Sequence, residues 1–323
     1  MISKMNQIVK NNILVVCPIC GSSDYSILFY GHNRRDKIDY SGTYVQCKEC
    51  SLVYLREGPR WEDIVRFYSV SDSDITANAG KIDYEELKQQ INTAIPVWKQ
   101  LLRRVWFRPH SWPLETVAQG SKRLLDLGCG NGAKLYEFAE RGYEIWGVDV
   151  SIDSIKVCQK LLPLGHFIQS ELHKINLPNA YFDYIRIDNT LEHVPDPRRL
   201  IAECYRLLKK GGRLLIYVPH GRSLSMRIMK GNSISCWIPF HPQLFTQKSL
   251  YRLLAEAEFG NVHIYGYYPN SWLPLSIMQW RMRKQKIPSL LYPGWLIIVC
   301  YPVGWVFSKI GLAEELIGVG LKN

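Results

Sequence analysis

The first seventeen residues, MISKMNQIVKNNILVVC, contain no apolar run ending in a small-residue cleavage site. That absence excludes a secretory leader as the reading of this stretch, and the expectation is a chain working in a reducing cytoplasm. No repeat or low-complexity segment occurs, so solenoid and fibrous architectures are excluded. Acidic residues are few, with 29 Asp and Glu against 40 Lys and Arg, which leaves a formal charge of +11. This excess favours acidic partners such as phosphates, nucleic acid or an anionic membrane surface without choosing among them. Apolar residues are not scarce: at 47% of 323 residues they exclude a disordered chain and allow one large α/β domain plus a smaller module.

Cysteine usage divides in two. Cys129, Cys158, Cys204, Cys236 and Cys300 stand singly among apolar neighbours and read as core residues. Cys17-Pro18-Ile19-Cys20 and Cys47-Lys48-Glu49-Cys50 form two CxxC knuckles at a separation suited to a zinc ribbon. Four thiolates close a tetrahedral site and leave no open position, so structural Zn2+ is expected on Cys17, Cys20, Cys47 and Cys50. Turn chemistry at Gly21, Ser22, Ser23 and Asp24 surrounds the first pair, giving a small module over residues 12–58.

Residues 61–114 show apolar positions at helix spacing, among them Ile95, Trp98, Leu101, Leu102, Val105 and Trp106, and read as a helical cap or linker. From Leu124 short apolar runs alternate with helical patterns. LLDL, EIWGVDV, HFIQ, YIRIDN and RLLIYVP are the strands; the segments near 136–141, 155–162 and 199–209 are the helices. This alternation predicts an α/β fold, a mostly parallel sheet with helices on both faces, over 115–323. A further helix follows Thr246, and NVHIYGY and EELIGVGL read as closing strands around an apolar insert at 270–310.

The segment from Leu124 to Gly132, LLDLGCGNG, lies between a predicted strand and a predicted helix. Glycines there let the backbone turn tightly and approach a ligand. A GxGxG turn alone is a weak signal, because dehydrogenases hold a pyrophosphate on a similar one. Asp126 immediately before the turn suits the cationic amino group of a methionine moiety better than a pyrophosphate. Asp149 ends the next strand, where a carboxylate can accept both ribose hydroxyls. Two acids and a glycine turn favour S-adenosylmethionine (SAM) over NAD.

LLDLGCGNG, the GVDVS around Asp149, YFDYIRIDNTLEHV and LLKKGGRLLIYVP resemble, in order and spacing, the successive motifs of Rossmann-like class I SAM-dependent methyltransferases, over roughly residues 115–265. The resemblance implies that Asp126, Gly128 and Gly130 line the methionine end and Asp149 binds the ribose. Val150, Glu171 and Asn189 complete the implied cofactor set, although QSELHK around Glu171 departs from the usual form of the adenine contact. The ribbon is similar to one fused to methyltransferases of surface-glycan, glycolipid and natural-product pathways. Ser51 stands where those ribbons commonly have glycine.

In this fold the acceptor enters over the C-terminal strand ends, and an oxygen acceptor needs a base. His193, His220 and His241 are the candidates for that catalytic role, each with a structural hydrogen-bonding role as the alternative. His241, in WIPFHPQLFT, resembles a lid segment whose Trp237, Phe240 and Phe245 would wall the pocket. No Asn-Pro-Pro-Tyr tetrapeptide follows Asp188 and no Pro-Cys pair occurs, which counts against exocyclic amine and cytosine C5 methylation.

Residues 287–308 carry no charge, but Pro288, Pro293, Gly294, Pro302 and Gly304 interrupt them, and a single crossing would strand the last sheet segment. The expectation is a hairpin or short helices in a membrane interface. Arg281, Arg283, Lys284 and Lys286 would meet anionic lipid, and Trp295, Tyr301 and Trp305 the headgroup boundary. A hydrophobic lid or dimer interface is the alternative. The resulting expectation is an enzyme that methylates a sugar, glycan or lipid-linked acceptor, by O-methylation, peripheral to the inner membrane face. An RNA methyltransferase using the ribbon and basic surface, and a non-catalytic SAM-binding scaffold, are the alternatives.

Overall fold

A computed structural model describes residues 13–14, 16–33, 40–58, 122–269, 271–282, 293 and 295–323. The expected helical cap at 61–114 lies outside the described residues.

The central sheet is built from β6 (Arg123–Leu127), β7 (Glu144–Asp149), β8 (His166–Gln169), β9 (Phe182–Asp188), β10 (Leu208–Pro219), β12 (Gly260–Tyr267) and β13 (Glu315–Leu321). Their order across the sheet is β12-β13-β10-β9-β6-β7-β8. From β10 to β8 neighbours run parallel, and β13 enters antiparallel between β10 and β12. Leu124, Leu125, Leu127, Ile185, Ile187, Leu214 and Ile216 are buried in it, which accounts for the unbroken apolar runs in these strands.

The helices are α1 (Tyr136–Glu140), α2 (Ile152–Leu161), α3 (Pro197–Leu207), α4 (Leu224–Met229), α5 (Gln247–Glu256), α6 (Trp272–Arg281) and α7 (Trp295–Lys309). Their starts are written locally. The Ser151 side chain accepts from Ser154 N–H on α2, Asp196 accepts from Arg199 N–H on α3, and Thr246 with Ser249 closes a capping box on α5. All five single cysteines are buried, as their apolar neighbours predict.

The N-terminal module is not a satellite. Strands β1 (Ile13–Leu14) and β5 (Glu57–Gly58) pair with each other. β2 (Tyr25–His32), β3 (Ser41–Cys47) and β4 (Val53–Leu55) form a sheet whose fourth strand, β11 (Gln243–Leu244), comes from the lid segment some 190 residues later in the chain. Leu55 N–H donates to Pro242 O at 2.8 Å, and Cys17, Ile19 and Val45 share one core cluster with Leu125, Ile185 and Leu250.

The apolar insert departs from expectation. Pro302 and Gly304 do not interrupt it: α7 is continuous over 15 residues with Pro302 inside. Proline removes the bond to the carbonyl four residues back, here that of Ile298. Gly304 is a packing residue, since a Cβ there would lie 1.9 Å from the Tyr268 ring. Tyr301 is buried and so does not face outward as expected, whereas Trp295 and Trp305 are exposed. Arg283, Lys284, Lys286 and Pro288 lie outside the described residues. No helix among the described residues is long and apolar enough to cross a membrane.

Candidate functional site

The C-terminal ends of β6, β7 and β9 lie side by side and bring Asp126, Asp149 and Asn189 to one edge of the sheet. After β6 the chain turns through Gly128, Gly130 and Gly132, at φ 81°, 53° and 76°. The N–H groups of Gly128 and Cys129 both donate to Val148 O, folding the turn back over β7. A Cβ at Gly128 would sit 2.2 Å from Thr190 Oγ1, while one at Gly130 would meet nothing within 4 Å. The first glycine lets the β9 loop approach; the second faces open space where a ligand can reach backbone.

Asp149 Oδ2 accepts from Gly130 N–H and Oδ1 from Ser151 N–H, each at 2.9 Å. Burial raises its carboxyl despite these bonds. An ionised carboxylate offers about four lone-pair positions, so capacity remains for two hydroxyls. Asp126 is fully buried; its Oδ2 accepts from Arg186 at 2.8 Å, and its Oδ1 has no partner among the described residues. Arg186 also pairs with Asp188, which Lys134 meets at 2.7 Å. Burial therefore pushes Asp126 up to about 6, because the cation that would hold it down is shared. Asp188, though buried, is held below the usual carboxylate range by Arg186 and Lys134. An orphaned carboxylate oxygen beside an open glycine turn fits a ligand with a cationic amino group.

The other expected cofactor residues sit around this edge. Val150 is exposed directly after β7, and Glu171 pairs with Lys174 at 2.6 Å. Asn189 takes a left-handed φ of 51°, donates its N–H to Tyr217 O and its Nδ2 to Asp188.

Of the three histidines, two come together. His193 ends the 3-10 turn Leu191–His193, and its ring centroid is 4.7 Å from that of His241. His193 Nδ1 contacts Phe240 O at 2.6 Å, and His241 Nδ1 contacts Ser235 O at 2.8 Å. The Tyr44 hydroxyl, from β3 of the ribbon, donates to His241 O at 2.7 Å. Trp237 packs on both imidazoles, and Gln243 Nε2 donates to Leu191 O and Val194 O, tying the lid to the loop after β9. His220 lies elsewhere, its Nδ1 at 2.9 Å from Ala313 O and its ring buried. Burial lowers His193 and His220 to about 4 each.

Glu192, beside His193, is wholly buried, and neither carboxylate oxygen has a partner among the described residues. Burial raises it well above its ordinary value. Glu315 is pushed up to about 8 by burial and by Asp188 nearby. Sequence reading passed over Arg186, Lys134, Gln243 and Glu315. The available signal was Arg186 itself, a basic residue between two isoleucines of the strand YIRID, with Asp188 two positions on.

In the ribbon, Cys17 Sγ lies 3.4 Å from Cys50 Sγ and Cys20 Sγ lies 3.5 Å from Cys47 Sγ, with all four within 4.8 Å of one another. Zn–S bonds of about 2.3 Å in a tetrahedron separate sulfurs by roughly 3.8 Å, so the donor set fits zinc. Each knuckle turns through a left-handed residue, Gly21 at φ 72° and Ser51 at φ 65°. The second explains why similar ribbons commonly carry glycine at the position of Ser51.

On α7, Trp295, Ile298, Val299, Val303, Trp305 and Val306 are exposed, and the Lys309 ammonium lies 5.6 Å from the Trp305 ring centroid.

A methyltransferase-domain family model matches residues 97–264. A ubiquinone biosynthesis O-methyltransferase from Idiomarina loihiensis is 30% identical over 156 residues, covering 45% of this chain and 64% of that protein. One from Pseudomonas putida is 35% identical over 111 residues, covering 32% and 47%. The chain thus spans between about half and just under two thirds of the length of these curated relatives. Among solved structures, a SAM dependent methyltransferase from Archaeoglobus fulgidus is similar at 24% identity and a TM-score of 0.45, with 74% of this chain and 99% of that chain covered. The phosphoethanolamine N-methyltransferase 2 of Haemonchus contortus, in complex with SAM, is similar at 17% identity and a TM-score of 0.49, with 99% and 73% covered.

Proposed function

The chain belongs to the class I SAM-dependent methyltransferases, and from that premise we propose that it methylates an oxygen on a sugar or glycan carried by a lipid, at the inner face of a membrane. When bound, SAM would supply an activated methyl group, whose carbon an acceptor oxygen attacks in line with the C–S bond while the sulfur leaves as the neutral thioether of S-adenosylhomocysteine. Asp126 Oδ1 receives the amino group of the methionine moiety, the bare backbone at Gly130 admits it, and Asp149 takes the ribose hydroxyls. His193 is uncharged at neutral pH and would stand beside an acceptor held under the lid. The curated relatives, named as O-methyltransferases, support oxygen as the acceptor atom.

The observation that carries the lipid-linked part is the outer face of α7. Monomeric soluble proteins rarely leave so many large apolar side chains exposed together, and Trp with a flanking Lys is the composition of a membrane-interface helix. The ribbon supports the reading indirectly: its zinc cluster braces β3 and β4, which hold the lid through Tyr44 and β11.

The test is to incubate the protein with methyl-labelled SAM and separated lipid, soluble-metabolite and RNA fractions of its host. Label in the lipid fraction is expected. Label in RNA overturns the acceptor, label in soluble metabolites recasts α7 as a lid, and SAM retained without turnover identifies a binding scaffold.

A further inference from the structure

Glu192, His193 and His241 each bring one ligand-capable atom to a common point, all within 4.8 Å of one another, where the loop after β9 meets the lid. Glu192 is the anomaly. It is 0% exposed, and neither carboxylate oxygen has a hydrogen-bond partner among the described residues. A carboxylate buried that way is unfavourable unless a cation or donors meet it. The neighbouring cations are engaged elsewhere, Arg186 with Asp126 and Asp188, Lys134 with Asp188.

The geometry points to a site for one divalent transition-metal ion, held by the Glu192 carboxylate and the imidazoles of His193 and His241, separate from the cysteine site. Both imidazoles are oriented from outside. His193 Nδ1 rests on Phe240 O at 2.6 Å and His241 Nδ1 on Ser235 O at 2.8 Å. Metal-bound histidines usually carry such a carbonyl contact, which fixes the tautomer and aims the other ring nitrogen. Tyr44 fixes the His241 backbone from the ribbon side, and the Asn189 carbonyl also accepts from the His193 ring. His193 Nε2 stands 3.9 Å from Glu192 Oε1. Bonds of about 2.1 Å separate ligands by roughly 3–3.4 Å, so small side-chain rotations close the site. Two imidazoles and one carboxylate select zinc, cobalt, iron or manganese over magnesium or calcium, and three ligands leave room for an oxygen of water or acceptor. The inference requires no particular acceptor and stands if the glycan reading fails.

The test titrates Co2+ into the full-length protein with its ribbon zinc in place and follows visible absorption. One cobalt per chain is expected, with d–d bands and none of the strong sulfur-to-cobalt charge transfer of a thiolate site. Glu192→Gln and His241→Asn are each expected to weaken it about tenfold or more while SAM affinity, measured by calorimetry, stays at the wild-type value. Cobalt that appears only with sulfur charge transfer, no uptake by the wild type, or unchanged affinity in both variants overturns the site. The wild-type titration decides the question even where a variant does not fold.

Discussion

At the ends of β6 and β9 two buried carboxylates, Asp126 and Asp188, share two cations, Arg186 and Lys134. Under the lid, a few residues along the same loop, Glu192 is buried with no such partner, and the nearby imidazoles rest on backbone carbonyls. The cofactor edge is a compensated network in which one carboxylate oxygen, Asp126 Oδ1, has no partner among the described residues. The lid is an uncompensated acid among neutral bases. The first arrangement suits the proposed ammonium of a bound ligand, and the second the metal ion inferred above.

The difference breaks most sharply at Arg186. Arg186→Met leaves two buried carboxylates with Lys134 alone, and such a loss is expected to cost about 3–5 kcal/mol, read from denaturant unfolding. Glu192→Gln in metal-free protein removes no compensated charge, because neither carboxyl oxygen of Glu192 has a partner among the described residues and burial disfavours its ionised form; a change under about 1 kcal/mol is expected. Similar losses in both variants would erase the distinction between the two ends.

The buried histidines and Asp126 titrate with opposite sign. His193 and His220 fall from 6.5 to about 4 in the fold. The unfolded chain therefore takes their protons first, and their stability is full above 6.5 and lost as pH falls toward 4, up to about 3 kcal/mol each. Asp126 rises from 3.8 to about 6. Its contribution is full below 3.8 and lost as pH rises through 6. Unfolding free energy measured across this range is expected to keep only the His193 share of its acid-side fall in His220→Asn and to fall more steeply toward acid in Asp126→Asn. Parallel profiles for the two variants would contradict the assignment.

Within the cofactor edge, Asp149→Ala removes the acceptor of two backbone N–H groups as well as the proposed ribose contact. At about 1.5–3 kcal/mol for each hydrogen bond to a charged group, SAM affinity is expected to drop roughly a hundredfold by calorimetry. Retained affinity would move the ribose elsewhere.

How much of this was legible follows the same division. The glycine turn, Asp126 and Asp149 lie within one strand-turn-strand stretch, so residue type and spacing announce them. The ribbon's cysteines announce themselves for the same reason. The lid is assembled from Glu192, His193, Ser235, Phe240 and His241, with Tyr44 behind it, and no local pattern links positions so far apart. His193 and His241 could be named singly, but not as a pair. β11 joining the ribbon sheet was equally hidden, since two residues carry no strand period. The Pro302 reading failed for another reason: proline costs a helix one hydrogen bond and some crowding of the preceding turn, which disfavours a continuous helix without forbidding it.

The smallest expected effect concerns α7, whose outer face differs from both ends in having no charge to compensate. Trp305 is 51% exposed with Lys309 over its ring, so on an isolated protein it stabilises little. At an interface its indole would leave water and the ammonium would meet anionic headgroups. Trp305→Ala should therefore leave unfolding free energy within about 0.5 kcal/mol, yet weaken binding to anionic vesicles by about 1 kcal/mol, roughly fivefold. The opposite pattern, lost stability with unchanged vesicle binding in a sedimentation assay, would make α7 a packing element and leave lipid attachment of the acceptor without its structural support.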